Sequence, residues 1–574
     1  MPRNGPADRC TLWSRYQNII SSMQKKILTA ALLVAMAGPG LAQEYIKGAP
    51  YGLLVQLGTE DVPVLRSPGL DMDAVMAEDA TRDAAGALPM YGRVVPVHAD
   101  LLTTGLWTVL PNGDRLWRLQ VESPGALAVE VFFEDLRVPT GGLLHVYSAD
   151  GAQVLGGYDQ RHAGTDGVFS SEQVLGEACV VEFLEPAAAI GEGSLRITGV
   201  GHAYRGVGSA KAQDCQVDVV CVPEGNGWQE ESDGVVRLRV KEGSQLGWCS
   251  GSLVNNTASD CRPFILTALH CGVNSSTADF QQWKFYFKYQ RTGCDQGFAS
   301  ASKVMTGCIR RADSNDGGGN TGSDFLLVET EDPVPPSYGP YWNGWDATGT
   351  GGSSGVSIHH PAGDEKKIST YTSNLISSSW GASQTHWRVI WSGTTNGHGV
   401  TEGGSSGSPI FNSAGRIVGT LTGGGSYCNS VVPGGQNQPD YYGKMDRHWN
   451  SNPNPANEKL RVWLDPGNTG QTTFDGSYDP CGNVGIGERA QEEGLLVFPN
   501  PADDRLVVEY PDGLTRVDRI ELLDASGRVV RSEVPLSTGR TTIPVSDLTS
   551  GFYLVRVIAG ETVHPAARVS VMHR

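Results

Sequence analysis

Apolar and polar residues alternate along much of this chain, in short runs broken by glycine, proline and aspartate. Leu116-Trp117-Arg118-Leu119-Gln120-Val121, Leu127-Ala128-Val129-Glu130-Val131-Phe132 and Leu143-Leu144-His145-Val146-Tyr147 are examples. Successive side chains on a strand point to opposite faces, so these runs predict half-buried strands. With turn signals about every ten residues, they predict a β-sandwich over residues 43–211. That region ends in the small-residue stretch Gly206-Val207-Gly208-Ser209-Ala210-Lys211, where a protease could cut without unfolding anything.

Residues 212–475 have shorter apolar runs and long Gly- and Ser-rich loops, which predicts β-barrels. Residues 476–494 are polar and glycine-rich and read as a linker. Alternation returns over 495–574, in Leu506-Val507-Val508-Glu509-Tyr510 and Phe552-Tyr553-Leu554-Val555-Arg556-Val557, and predicts another small β unit. The expected class is all-β.

The first stretch reads as a targeting signal. Met23-Gln24-Lys25-Lys26 is a basic start, Ile27 to Ala37 an apolar run, and Gly40-Leu41-Ala42 a small-residue cleavage site. Residues 1–22 would be an upstream extension, with the start at Met23 and the signal ending at 42. The apolar run is too short to span a bilayer, and no transmembrane segment is expected in the mature protein. Export makes the eleven cysteines disulfide candidates. Lys and Arg total 44 against 62 Asp and Glu, a net charge of −18. That balance disfavours nucleic acid and anionic membranes as partners and favours cationic ones.

Three pieces carry chemistry: Thr267-Ala268-Leu269-His270-Cys271, Gly322-Ser323-Asp324-Phe325-Leu326-Leu327 and Gly404-Ser405-Ser406-Gly407-Ser408-Pro409. A serine hydroxyl needs a base in reach, and the base needs a buried carboxylate to hold its tautomer. His270, Asp324 and Ser406 are the candidate catalytic residues. The N–H groups of Gly404 and Ser406 are candidate oxyanion donors. Gly403-Gly404-Ser405-Ser406-Gly407 also fits a nucleophile elbow centred on Ser405, but the flanks lack its strand and helix. His359-His360 could suggest metal; neighbours on a strand point apart, and neither metal nor cofactor is expected.

Region 212–475 resembles the lysyl endopeptidase branch of the chymotrypsin-like serine proteases. The resemblance lies in Cys215-Gln216-Val217-Asp218-Val219-Val220-Cys221, Gly251-Ser252-Leu253-Val254-Asn255-Asn256-Thr257, Ile358-His359-His360-Pro361, Val400-Thr401-Glu402 and Trp463-Leu464-Asp465-Pro466. It implies a double β-barrel, the triad His270, Asp324 and Ser406, and disulfides Cys215–Cys428, Cys221–Cys294 and Cys249–Cys271. Cys261 and Cys308, outside that pattern, are expected to pair with each other. A trypsin-type pocket would need an aspartate at Val400. The resemblance instead implies Asp440 as the counter-ion for a lysine, Trp380 stacked on the catalytic histidine, and a groove lined by Thr422, Gly423 and Gly424. Thr422 stands where the family has a histidine.

These readings imply a secreted serine endopeptidase made as a zymogen, cutting peptides after lysine. Its pro-region, 43–211, would be released at Lys211 or Arg205. Ser405 precedes the nucleophile and has no charge, so a terminal ion pair there is not expected to be the switch. The alternative is a non-catalytic adhesin on the same scaffold. The tail, with Phe498-Pro499-Asn500-Pro501-Ala502 and Leu548-Thr549-Ser550-Gly551-Phe552-Tyr553-Leu554, looks like a type IX secretion sorting domain. That implies the type IX machinery as a partner and export across a Gram-negative outer membrane.

Overall fold

The computed structural model describes residues 49–482 and 496–573, apart from 85–87, 164–166, 207–211, 320, 430–434, 451–454, 456–457 and breaks within the tail. The targeting signal, Lys211 and most of the linker lie outside the described residues. The chain divides into two units, Met1–Cys481 and Gly482–Arg574.

Residues 49–206 form two facing sheets. One orders the strands Val64–Arg66, Arg115–Glu122, Ala178–Glu185, Leu143–Tyr147 and Val154–Tyr158. The other contains Met90–Asp100, Ser194–Ala203 and Ala128–Arg137. Trp117, Leu119, Val181 and Phe183 from the first meet Val129, Val131, Phe133 and Ile197 from the second in one buried core. Each large side chain so buried contributes about 1.5–3 kcal/mol.

The second sheet continues into the following region. Arg93, Gly92 and Met90 pair with Gln245, Leu246 and Gly247 on the strand Gln245–Leu253. From there it runs through Val235–Glu242 on one side and through Phe264–Thr267, Leu326–Thr330 and Cys308–Asp313 on the other. Beyond Val235–Glu242 come Lys284–Tyr286 and Val304–Thr306. Only Gly307 separates Val304–Thr306 from Cys308–Asp313, so this part curls into a nearly closed barrel around Leu238, Ile265, Trp283 and Leu326.

A ten-stranded sheet follows, with eight strands ordered Val217–Asp218, Lys367–Tyr371, Gly355–His359, Pro409–Asn412, Arg416–Gly424, Asp440–Lys444, Ala382–Val389 and Ile376–Trp380, while Gly344–Asp346 pairs with Arg416–Gly424 and with Thr473–Phe474. His270 and Asp324 belong to the barrel. Asp440 begins a strand of this sheet, and Ser406 lies in the turn just before Pro409–Asn412.

Disulfides join Cys215 to Cys428, Cys221 to Cys294, Cys249 to Cys271 and Cys261 to Cys481. The expected Cys261–Cys308 bond is therefore corrected. Cys308 is itself buried at the start of its strand, and its thiol faces the Phe280 carbonyl inside the barrel core. Burial, with Glu331 nearby, raises its pKa well above normal. Cys261 sits on a loop at φ +57°.

The tail unit has a three-stranded sheet, Leu496–Phe498, Arg505–Glu509 and Arg540–Pro544, and a five-stranded one containing Arg519–Leu523 and Gly551–Ala559. Leu506, Val508, Ile520, Leu522, Val555 and Val557 fill its core. Among the described residues no helix is long and apolar enough to cross a membrane.

Candidate active site

Strand pairing brings the histidine and aspartate together. Phe264–Thr267 is wholly buried and pairs antiparallel with Leu326–Thr330, with Thr267 opposite Leu326. His270 follows the first strand and Asp324 precedes the second, so the two arrive at one end of the ladder. His270 Nδ1 lies 2.7 Å from Asp324 Oδ2, and the His270 backbone N–H donates to Oδ1 at 2.9 Å. The Cys249–Cys271 bond anchors the residue after His270.

Asp324 is fully buried and has φ +59°, a left-handed conformation that aspartate tolerates better than most residues. A second carboxylate holds it there. Asp316 accepts the N–H groups of Gly319 at 2.9 Å and Asp324 at 2.8 Å. Ser323 Oγ is 2.9 Å from His448 Nδ1, whose Nε2 meets Thr420 Oγ1 at 3.0 Å.

Burial would lower the pKa of His270, but the Asp324 charge and hydrogen bond, helped by Glu242 and Asp316, raise it above the ordinary value. Nearby histidines go the other way. Burial first, then neighbouring cations, takes His359 to about 3 and His386 to about 4, and burial with His386 takes His448 to about 3. These rings are neutral hydrogen-bonding posts. His270 alone among them is set to accept a proton.

The two serines of the turn differ in burial. Ser405 is fully buried, its Oγ 2.8 Å from His359 Nδ1 and accepting the Glu402 N–H at 3.1 Å. Ser406 is half-buried, and its carbonyl accepts the Ser250 N–H at 2.8 Å. That carbonyl also lies 3.8 Å from Cys271 Sγ, next to His270. Among the described residues no hydrogen bond joins His270 Nε2 to Ser406 Oγ; such bonds often tighten only when substrate is present. Gly404 has φ +96°, and a Cβ there would come within 2.9 Å of the His360 carbonyl and the Gly363 nitrogen. Glycine is required at this position.

Asp440 is fully buried where its strand begins. Its Oδ2 accepts from Trp391 Nε1 at 2.6 Å, Thr401 Oγ1 at 2.8 Å and Ser426 Oγ at 2.5 Å, and its Oδ1 from Ser426 N at 3.1 Å. Burial raises its pKa and these donors only partly offset that. No cation of the described chain is among its partners. A Cβ on Gly424 would lie 1.9 Å from Asp440 Oδ1, and one on Gly423 would lie 3.4 Å from the Trp380 ring. The glycines leave the space that the acid and the indole border.

Trp380 departs from expectation. Its ring neighbours are His386 and Tyr441, at 6.3 and 5.2 Å between centroids, and not His270. The strand register shifts between Ser378 and Trp380, and Thr422 Oγ1 lies 2.9 Å from His386 Nε2. His359 and His360 diverge: His359 meets Ser405 and Ser369, and His360 Nδ1 meets the Asp364 carbonyl.

Sequence reasoning missed Asp316, His386, His448 and the donors to Asp440. Only Asp316 had a signal, its run of glycines 317–319 marking a carboxylate-capped turn. It also missed an acceptor for Ala212, whose buried N–H donates to Asp364 Oδ2 at 2.9 Å. The next N–H, of Gln213, donates to Glu402 Oε1 at 3.1 Å.

Residues 209–443 match the family model of the lysyl endopeptidase C-terminal domain, and residues 496–568 that of a secretion system C-terminal sorting domain. Over residues 209–443 the chain is thus similar to the C-terminal domain of lysyl endopeptidases. It is a serine endopeptidase. The lysyl endopeptidase of Pseudomonas aeruginosa is 28% identical over 351 residues, which cover 57% of this chain and 73% of that protein. Two solved structures also match: a thermostable serine protease, AL20, from an extremophilic microorganism, and the protease Anisep from Arthrobacter nicotinovorans. They are 16% and 17% identical, cover 38% and 37% of this chain and 93% and 90% of their own, and each has a TM-score of 0.27.

Proposed function

We propose that this endopeptidase cleaves peptide bonds on the carboxyl side of lysine, with His270, Asp324 and Ser406 as its triad on a chymotrypsin-like double β-barrel. Ser406 Oγ attacks the lysyl carbonyl while His270 Nε2 takes its proton, and Asp324 stabilises the imidazolium that forms. The N–H groups of Gly404 and Ser406 receive the oxyanion. His270 returns the proton to the leaving amine, and water then releases the acyl group by the same steps.

The observation that carries the specificity is the Asp440 carboxylate. It is buried, held by four neutral donors and lacks a cation, and a lysine ammonium would supply the missing charge. An isolated buried charge is costly, and pairing it offsets that cost. The resemblance to lysyl endopeptidases supports the same reading. Residues 43–211 are then the pro-region of a zymogen, removed by cutting after Lys211 or Arg205, and the tail directs export across the outer membrane through type IX machinery.

Digesting a mixed proteome with the enzyme and mapping every new carboxyl terminus tests this. Termini should be lysine almost throughout. A majority at arginine, or at apolar residues, would overturn the assignment of Asp440.

A further inference from the structure

The strand Gln245–Leu253 runs from the rim of the barrel into the catalytic centre. At its inner end Cys249 is bonded to Cys271, beside His270, and Ser250 N donates to the Ser406 carbonyl. At its outer end the N-terminal region adds a strand, with Gln245 opposite Arg93, Leu246 opposite Gly92 and Gly247 opposite Met90. The Val94 N–H extends this edge to the Ser244 carbonyl at 2.7 Å.

Direction matters here. The pairing is antiparallel, so the added strand moves away from Ser406 as it runs from Met90 to Arg93. The residues before Met90 lead back toward the nucleophile turn. Pro89 presses on Gly403, where a Cβ would lie 2.6 Å from Pro89 Cγ, and Leu88 presses on Gly247, where a Cβ would lie 2.9 Å from Leu88 Cδ2. A peptide whose scissile carbonyl sat at Ser406, and whose downstream residues left along this edge, would follow the same path in the same direction.

We infer that Leu88–Arg93 occupies, in substrate direction, the strand edge that receives the leaving-group half of a peptide substrate, so that the N-terminal region blocks that half alone. This rests on the reading of Ser406 as nucleophile. The lysine side is built without the N-terminal region: among the described residues every hydrogen-bond partner of the Asp440 carboxylate lies between Trp391 and Ser426, and the Gly423–Gly424 groove meets Trp380 and Asp440.

The blocking segment is firmly held. Tyr91 stacks on Trp248 with centroids 4.6 Å apart and donates to Glu130, which faces Arg239. Lys284 and Glu172 form a second buried pair across the same interface at 2.8 Å. Main-chain pairing supplies affinity in strand addition of this kind, and buried charge pairs make separation costly. Cutting the chain after Lys211 would leave all these contacts intact.

The test compares two substrates matched up to lysine: an N-acyl-lysine methyl thioester, and a peptide with four residues after the lysine. The enzyme is the uncut precursor, K211Q, with R205Q added if cutting persists there, checked by intact mass and compared with the mature form freed of residues 43–211. The precursor should hydrolyse the thioester within about threefold of the mature rate, yet show kcat/KM for the extended peptide lower by about 100-fold or more. Within the precursor, L88G/P89G should restore much of the peptide activity and leave thioester turnover unchanged. Equal impairment on both substrates would place the block elsewhere, and equal activity on both would show that the edge is free; either overturns the inference. A mature enzyme inactive on both would instead remove the nucleophile reading itself.

Discussion

Two buried carboxylates, Asp324 and Asp440, sit at the ends of neighbouring architectures and differ in what answers their charge. Asp324 faces the His270 ring at 2.7 Å, and when that ring takes up a proton the Asp324 charge is answered inside the chain. Asp440 has hydroxyl, indole and amide donors and, among the described residues, no cation. A charge answered internally can set the pKa of a neighbour and hold a geometry. One left unanswered is available to a ligand. The first arrangement suits catalysis and the second suits selection, and the comparison assigns each before any substrate is present.

The largest effect should come from the catalytic side. Ser406→Ala should lower kcat about 10⁴–10⁶-fold, and Asp324→Asn about 10⁴-fold with KM little changed, because the imidazole loses its tautomer. Steady-state kinetics on one lysyl peptide checks both. A large change in KM for Asp324→Asn would blur the division of labour.

Asp440→Asn should lower kcat/KM for lysyl substrates about 10²–10³-fold, the loss typical of a desolvated charge pair. Peptides with a neutral residue in place of lysine should lose far less, which separates lost selection from lost folding.

The pH profile should show both groups. His270 must be neutral to act as base, and its pKa is raised. Asp440 must be ionised to bind lysine, and its pKa is raised as well. Both requirements remove activity as pH falls, so kcat/KM should rise with pH through an acid limb that includes a group above the ordinary histidine value of about 6.5. Bound lysine stabilises the Asp440 charge, so the kcat profile should keep only the His270 limb. An acid limb wholly below the ordinary histidine value would contradict the raised His270.

The smallest effect should be that of Ser405→Ala. It removes the buried contact to His359 and should cost about 1–3 kcal/mol of stability, read by denaturant unfolding, while most activity survives.

The parts of this site legible in the sequence were those tied to local pattern. Phe264-Ile265-Leu266 before His270 and Phe325-Leu326-Leu327 after Asp324 announce two buried strands, and their pairing explains the 2.7 Å contact. Alternation through Trp117 and Val131 likewise marks the faces that meet in the sandwich core. What could not be read depends on distant partners. Cys261 meets Cys481 across a separation of 220 residues, and nothing in the spacing favours that over Cys308. Trp391, Thr401 and Ser426 converge on Asp440 from three segments, none with a motif. The pairing of Met90 with Gly247 joins two regions that their composition suggested would be separate. The resemblance places Trp380 on the catalytic histidine, whereas its ring lies against His386 and Tyr441.

The most direct test of the central claim compares two substrates that differ only in charge, one with lysine and one with its neutral, near-isosteric counterpart norleucine, on wild type and Asp440→Asn. Wild type should prefer lysine by about 10³-fold in kcat/KM, and the variant should lose most of that preference by losing activity on lysine alone. An undiminished preference for lysine in the variant would show that some other group answers the ammonium, and would contradict the account.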